Sequence, residues 1–337
     1  MMKSGIFILS SLILFGANVN AKESENIVTF ENYPHVESTI EISNYQKLAE
    51  GVNKWYHFRA PTPIDNQPTI RMNRDTLYSM ATIDVSQGAK VTLPDAGERY
   101  ISLMIVNEDG YTNKVWYGKG EYELNKDLVG TDYAFVIVRI FLDSNDKNDV
   151  TTVNNLQNNL KIEAKSDTPF EPKNWDMTSY HKVHETLIDI FQLLPNTLGA
   201  FGKKENVDPI RFILGSAGGY GGLPEEDAFY MNVSPGLSVG KYEMTLKDVP
   251  VDGFVSFSLY NKEGFFFQSD SGLSSLNNVT AQKNPDNSFT VYFGGCDTRK
   301  INCLALKDGW NFVVRLYQPR KEILNGSWNL PSIKKSQ

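Results

Sequence analysis

The stretch that decides the fold class is RYISLMIVN, at residues 99–107. Successive side chains of a strand point to opposite faces, so Leu103 and Ile105 share one face while Met104 and Val106 share the other. A strand with one solvated face would alternate between apolar and polar residues. Because both faces are apolar here, the stretch predicts a strand in the middle of a sandwich of sheets.

The same pattern recurs in YAFVIVRIF, at residues 133–141. Further short segments rich in Ile, Val, Thr and Tyr, separated by Gly, Pro, Asp and Asn, fill the chain from about residue 68 to 142 and again after 222. Between them, residues 147–162, 177–201 and 207–214 have helical spacing of apolar residues. This order predicts a mainly β protein with α segments: two antiparallel, jelly-roll-like β-sandwich domains joined by a helical segment.

The predicted domain boundaries follow from these changes of pattern. Within the first domain, residues 22–42 are polar and predict an irregular arm, and residues 43–57 predict a short helix that the prolines of Ala60-Pro61-Thr62-Pro63 end. The predicted organisation is a signal peptide at 1–21, an N-terminal sandwich at 22–145, a helical and Gly-rich connecting segment at 146–222, and a C-terminal sandwich at 223–330.

The first residues resemble a secretory signal. Lys3 precedes an apolar run at residues 6–15, and Val19-Asn20-Ala21 has the small-x-small pattern of a cleavage site. The run is too short to cross a bilayer of roughly 30 Å as a helix. We therefore expect cleavage after Ala21 and a periplasmic or secreted protein with no stable membrane anchor. An uncleaved N-terminal anchor is the alternative.

Composition narrows the class of partner. The chain has 40 acidic and 33 basic residues and a formal net charge of −7, which argues against nucleic acid as a partner. Its two cysteines, Cys296 and Cys303, predict a disulfide in an exported chain. A reactive or metal-binding pair is the alternative, but the spacing is unlike that of zinc sites. The sequence predicts no cofactor and no metal site, and it leaves the oligomeric state open.

Several motifs resemble one known family. Asn73-Arg74-Asp75-Thr76-Leu77-Tyr78-Ser79 resembles the signature of a bacterial envelope family that pairs the domains of unknown function 1254, N-terminal, and 1214, C-terminal. Residues 252–260, 284–292 and 312–317 resemble the second domain. The resemblance covers most of residues 40–330 and implies an exported protein of two β-sandwich domains with helices between them. It implies no settled activity, and it assigns no functional residues.

A dense polar run supplies the first candidate site. An aspartate beside two arginines, Arg71 and Arg74, is expected to have a lowered pKa and to stay ionised, which suits a nucleophile or an electrostatic stabiliser. The alternative is a structural polar network at the start of a strand. The predicted site assigns catalysis to Asp75 and Tyr78, and substrate binding to Asn73, Arg74, Arg99 and Trp116.

Three other groups of residues have both a chemical and a structural interpretation. Glu108 and Asp109 lie beside aromatic residues, as acids of a glycosidase would, but Asp-Gly is also a strong turn signal. His181 and His184 share a helix face without a metal motif, and His184 lies on an apolar stripe. The run at 214–222 contains Ser216 but lacks the pattern of a phosphate loop or a nucleophile elbow, so a flexible loop beside a cleft is predicted.

Two functions are left open by the sequence. The first is a periplasmic hydrolase that acts on a glycan or glycoconjugate in an inter-domain cleft, with Asp75 as its key carboxylate. The second is a non-catalytic protein of the cell envelope that binds a carbohydrate or another small ligand, or serves as a scaffold. In both, the expected partner is a small molecule or a glycan.

Overall fold

The computed structural model describes residues 26–67, 70–299 and 301–336. The predicted signal peptide lies outside these ranges. The described chain is mainly β with short helices, as predicted. The helices are α1 (Tyr33–Leu48), α2 (Lys126–Val129), α3 (Lys147–Asn158), α4 (Met177–Phe191), α5 (Pro209–Gly219) and α6 (Lys321–Leu324).

The strands form four sheets. Those of the N-terminal half are β1 (Tyr56–His57), β2 (Thr76–Asp84), β3 (Ala89–Leu93), β4 (Ile101–Asn107), β5 (Thr112–Tyr117), β6 (Gly120–Leu124), β7 (Tyr133–Phe141) and β8 (Lys161–Ala164). Those of the C-terminal half are β9 (Ala228–Val233), β10 (Tyr242–Leu246), β11 (Val255–Tyr260), β12 (Ser275–Asn277), β13 (Phe289–Phe293), β14 (Cys303–Leu304), β15 (Asn311–Tyr317) and β16 (Lys334–Lys335).

In the N-terminal half, an antiparallel sheet in the order β1-β2-β7-β4-β5 packs on a smaller sheet in the order β6-β3-β8. Leu103 and Ile105 of β4 face the core between these two sheets. Met104 and Val106 face the opposite side and belong to a second apolar cluster, which also contains Phe254 of the C-terminal half. Every residue of β4 is buried. The prediction of a strand covered on both faces is therefore confirmed.

The C-terminal half is a sandwich of two four-stranded sheets, in the orders β14-β13-β10-β16 and β12-β11-β15-β9. All pairs are antiparallel except β13 with β14. The turn predicted at residues 284–287 forms, and the Asn284 N–H donates to the carbonyl of Ser288. The strand predicted before it, at 276–282, is wrong in extent and partner, because β12 ends at Asn277 and pairs with β11 rather than with β13.

The structure corrects the arm predicted at 22–42 and the helix predicted at 43–57. One helix, α1, begins at Tyr33 and ends at Leu48. Pro34 lies in its first turn, where a missing N–H costs no hydrogen bond. The helix buries the apolar Val36 and Ile42 together with the small polar Ser38 and Ser43. Its buried side therefore mixes apolar and polar residues, so hydrophobic periodicity does not reveal the helix.

The helical segment packs α5 against both α4 and α1. Most of the glycine-rich run belongs to α5 and is not a flexible loop, which corrects the prediction. A methyl group at Gly218 would overlap the ring of Phe191, and one at Gly222 would lie 2.5 Å from the ring of Phe201. The glycines are needed because two aromatic rings lie directly against this backbone.

Candidate functional site

A cavity of about 690 Å³, here called the central cavity, lies between the two halves. One wall is the five-stranded sheet of the N-terminal half, and the facing wall is the sheet that contains β15 and β9. The linker between β1 and β2 and the helical segment close the other sides. Its volume is within the range of cavities that enclose small molecules, about 300–1,000 Å³.

The N-terminal wall presents side chains from β2 and β7. Tyr78 lies opposite Arg139 in the strand register, and Met80 lies opposite Ile137. All four line the cavity, since residues two apart on a strand share a face. Arg139 is only 5% exposed, and its guanidinium carbon lies 5.4 Å from the centre of the Tyr78 ring.

The C-terminal wall mirrors this arrangement. Arg315 of β15 lies opposite Tyr230 of β9, and both line the cavity. Arg315 donates hydrogen bonds to Ser258 Oγ at 2.7 Å and to the Tyr260 hydroxyl at 3.0 Å. A further bond of 2.8 Å runs to the carbonyl of Arg71 on the linker.

Three guanidinium groups therefore line one cavity. Among the described residues, no carboxylate oxygen lies within 4 Å of the side-chain nitrogens of Arg71, Arg139 or Arg315. The hydrogen-bond acceptors of Arg139 are the carbonyl of Gly221 and, at 3.8 Å, the sulfur of Met104. Arg71 donates to Asn232 Oδ1 at 2.7 Å. The cavity consequently has an excess of positive charge.

One carboxyl group lies in the described part of the cavity wall, that of Glu41 on α1. Burial, and to a smaller extent the nearby carboxylate of Glu37, raise the pKa of Glu41 to about 7. Below that pH the Glu41 carboxyl is mostly neutral, so it does not cancel the positive charge of the arginines.

Asn73 and Tyr78, both predicted to belong to the site, do line the cavity. The side-chain amide of Asn73 donates to the Tyr317 hydroxyl at 2.7 Å and to the Tyr78 hydroxyl at 3.2 Å. Its Oδ1 accepts the N–H of Asp75 at 2.7 Å. Asn73 thus holds a tyrosine of each half in place.

Asp75 lies behind the cavity rather than in its wall. The residue is 2% exposed, and its carboxylate accepts a hydrogen bond of 2.5 Å from Ser256 Oγ on β11. Its pKa is raised, not lowered as the sequence predicts, because the cost of burying the charge outweighs the attraction of Arg315 and Arg74. In this position Asp75 joins the two halves of the molecule.

The other predicted binding residues do not converge on the cavity. Arg74 donates to the carbonyl of Thr62, and its guanidinium lies over the ring of Phe266. Arg99 forms an ion pair of 2.5 Å with Asp149 of α3. Trp116 packs against the N-terminal core and stacks on Tyr122. Each of these side chains has a structural partner of its own.

The remaining candidates have local structural contacts. The side chain of Asn107 accepts the N–H groups of Asp109 and Tyr111, which forms the turn containing Glu108 and Asp109. Ser216 lies within α5 and donates to the carbonyl of Phe212. His184 contacts the Tyr33 hydroxyl at 2.5 Å. In the described parts of the chain, no group of three His, Cys, Asp or Glu side chains is placed to hold a metal ion.

The residues that sequence reasoning missed are chiefly Arg139, Arg315 and Glu41. The two arginines carried a usable signal, because each is the single charge in a strand that is otherwise almost entirely apolar. Glu41 carried none, since its helix has no apolar stripe that would reveal which side is buried. The predicted pair Cys296 and Cys303 forms a disulfide, with Cα atoms 5.6 Å apart, and neither residue lines the cavity.

Comparisons with known proteins agree with this architecture. The family model described as "Protein of unknown function (DUF1254)" matches residues 52–127, and that described as "Protein of unknown function (DUF1214)" matches residues 236–321. The chain therefore pairs domain 1254 with domain 1214, in the order that the sequence motifs predicted. No curated protein is significantly similar to it.

Two solved structures resemble the whole chain. The VPA0106 protein from Vibrio parahaemolyticus is 18% identical, with a TM-score of 0.68, and the match covers 91% of this chain and 98% of that one. A putative uncharacterized protein from Burkholderia cenocepacia is 15% identical, with a TM-score of 0.51 and coverages of 95% and 91%. At these identities the likeness concerns the fold alone. Among the helices described, none has the length and apolar character needed to cross a membrane.

Proposed function

We propose that this protein binds an organic anion in the central cavity. The observation that carries the proposal is Arg139, a guanidinium that is 5% exposed, faces the cavity and has no carboxylate within 4 Å among the described residues. Arg71 on the linker and Arg315 on the facing wall add two further positive charges to the same cavity. The site thus favours the second of the two functions left open by the sequence, a ligand-binding protein.

A buried charge is expensive unless an opposite charge or several hydrogen bonds compensate for the lost water. An anion in the cavity would compensate Arg139 directly. Guanidinium groups also bind carboxylate and phosphate oxygens in pairs, with a geometry that a neutral hydroxyl group does not reproduce. A neutral ligand would leave the arginine uncompensated, so charge is expected to dominate selectivity.

We place this activity outside the cytoplasm, in the periplasm or the secreted fraction. Support comes from the signal-like residues Lys3 to Ala21 and from the disulfide between Cys296 and Cys303, since disulfides persist in oxidising compartments. Fractionation of cells that express the full chain checks this: the mature protein should begin at Lys22 and be released with periplasmic or medium proteins.

Isothermal titration with pairs of compounds that are similar in size but differ in charge tests the binding proposal. The pairs are glucuronate with glucose, and octanoate with octanol. At least one anion should bind tenfold or more tightly than its neutral counterpart, and Arg139→Met should remove that difference. Arg320→Met, which alters an exposed arginine paired with Asp252, is the control and should bind as the wild type does. Equal binding of anions and neutral compounds would contradict the proposal.

A hydrolase that acts on a glycan or glycoconjugate is the second candidate. It is favoured by Glu41, because a carboxyl group with a pKa near neutral in a cavity wall is suited to general acid–base catalysis. In this candidate Glu41 exchanges the proton, whereas Asp75 holds Asn73 and Ser256 in position. Nitrophenyl glycosides and esters serve as probes: Glu41→Gln should abolish turnover, and absence of turnover by the wild type would exclude this candidate.

A further inference from the structure

We propose that the ligand is an amphiphilic anion, whose charged head binds Arg139 and Arg315 and whose apolar body lies along the wall that leads to Met80 and Ile137. This inference rests on the proposed anion-binding function and adds to it the chemical class and the orientation of the ligand.

The first argument is the order of side chains along β2 and β7. Tyr78 and Arg139 form one cross-strand pair, and Met80 and Ile137 form the next pair on the same face. Two residues along a strand correspond to about 6.6 Å. A charged row is therefore followed at once by an apolar row, and a single ligand of moderate length would contact both.

The second argument is where hydrogen-bonding capacity lies. Near the charged row, Tyr78 and Tyr230 offer hydroxyl groups to a ligand head. Beyond it, Met80 and Ile137 carry no hydrogen-bonding group, and Phe191 and Phe201 also line the cavity. These two rings lie directly on the glycines of the run at 218–222. An alkyl or aromatic body would be removed from water against these side chains.

The third argument is the depth of the charges. Arg139 and Arg315 are both 5% exposed, whereas Phe58 of the linker, which also lines the cavity, is 38% exposed. The arginines thus lie in the buried part of the cavity, together with the apolar Ile137, which is 2% exposed. An anionic head there would compensate the arginines, and a body that lies against Ile137 would also be removed from water.

A homologous series of carboxylates tests the proposal on the intact protein. Acetate, butyrate, hexanoate and octanoate carry the same head, so isothermal titration isolates the contribution of the body. Each methylene that leaves water contributes about 0.8 kcal/mol, which corresponds to about a fourfold gain in affinity. If affinity is independent of chain length while glucuronate still binds better than glucose, the amphiphile proposal fails and anion binding stands. If no anion binds, both proposals fail.

Substitution of the apolar row tests the orientation. Met80→Gln keeps the length of the side chain and adds a polar group, so it should weaken octanoate binding about tenfold and leave butyrate binding unchanged. Val279→Gln, on an exposed surface away from the cavity, is the matched control and should change neither. Unchanged octanoate binding by a folded Met80→Gln variant would overturn the orientation.

The same chemistry is present in a free amphiphile and in the headgroup of an anionic lipid. Sedimentation with vesicles of phosphatidylglycerol and of phosphatidylcholine separates the two sources. We expect the protein to bind dispersed octanoate and to remain in the supernatant with both kinds of vesicle. Sedimentation with phosphatidylglycerol vesicles that Arg139→Met abolishes, without binding of octanoate, would assign the site to a membrane lipid and overturn the proposal of a free ligand.

Discussion

Strands β7 and β15 make an informative pair, because each carries one arginine in an otherwise apolar sequence. Arg139 in β7 and Arg315 in β15 are equally buried, at 5% exposure, and each lies opposite a tyrosine of the neighbouring strand. Both face the central cavity, one from each half of the molecule. From their sequences alone the two strands would be given the same role.

The contacts of the two arginines differ. Arg315 donates to two side-chain hydroxyl groups and a backbone carbonyl, and the charge of Asp75 acts on it. Arg139 has a backbone carbonyl, a thioether sulfur and the face of a tyrosine ring. The protein therefore compensates Arg315 by itself and leaves Arg139 undercompensated. We infer that Arg315 stabilises the junction of the two halves as well as facing the ligand, whereas Arg139 depends on the ligand for most of its compensation.

The largest effect is expected for Arg315→Met. The substitution leaves Ser258, Tyr260 and the Arg71 carbonyl without their donor and leaves Asp75 without its nearest strong compensation, so the free energy of unfolding should fall by about 4 kcal/mol. Urea unfolding at pH 7 measures this. The exposed Arg320→Met variant should lie within about 0.5 kcal/mol of the wild type. If Arg315→Met costs no more than Arg139→Met, the distinction between the two arginines is wrong.

Removal of the disulfide tests whether the stability of the C-terminal sandwich affects binding in the cavity. Replacing both Cys296 and Cys303 by serine should lower the free energy of unfolding by about 2.5 kcal/mol, because the short loop between them becomes unrestrained in the unfolded chain. Anion affinity should not change, since neither residue lines the cavity. A parallel loss of affinity would show that the sandwich and the cavity are coupled.

Glu41 provides a pH-dependent test of the charge balance. Its pKa in the folded protein is about 7, above the ordinary 4.5. Between pH 4.5 and 7 the unfolded chain has released this proton while the folded protein still holds it, so the free energy of unfolding falls as the pH rises through this range. Burial holds the pKa values of the neighbouring Tyr45, Tyr180 and Tyr220 well above this range, so they remain neutral.

Glu41→Gln removes this loss, so the variant should gain about 3 kcal/mol over the wild type at pH 8 and little at pH 4.5. Thermal unfolding across this range gives the comparison. Anion binding by the wild type should weaken above pH 7, when Glu41 ionises in the wall of the same cavity, and that by the variant should not. A constant difference between the two proteins at all pH values would contradict the assigned pKa.

The smallest effect on stability is expected for Arg139→Met. The change removes one hydrogen bond to Gly221 but also removes an undercompensated buried charge, so the free energy of unfolding should change by less than about 1 kcal/mol. Chemical unfolding in the absence of ligand measures it. A loss as large as that of Arg315→Met would mean that Arg139, too, is chiefly structural.

Local patterns predicted most of the strands and the starts of the later helices. The helices predicted at 147–162 and 177–201 end earlier, at Asn158 and Phe191. The double-sided apolar pattern of residues 99–107 identified β4, and residues 133–141 matched β7. The helix predicted from residue 177 begins there, behind the N-cap Asp176. By contrast, α1 escaped prediction because the residues that it buries are a mixture of apolar and polar ones. Whether the predicted domain boundaries at 145 and 222 hold stays a prediction, and β8 pairs with β3 from beyond the first of them.

The sequence by itself determined the fold class, the family pairing and the presence of a polar cluster around Asn73 and Tyr78, because periodicity and local motifs are properties of neighbouring residues. Only the tertiary structure decided that Asp75 turns away from the cavity and that Arg139 and Arg315 meet across it. The physical reason is that the cost of burying a charge depends on every group that surrounds it. Those groups come from distant strands, and no local pattern states whether a buried arginine meets a carboxylate, a hydroxyl or an open cavity.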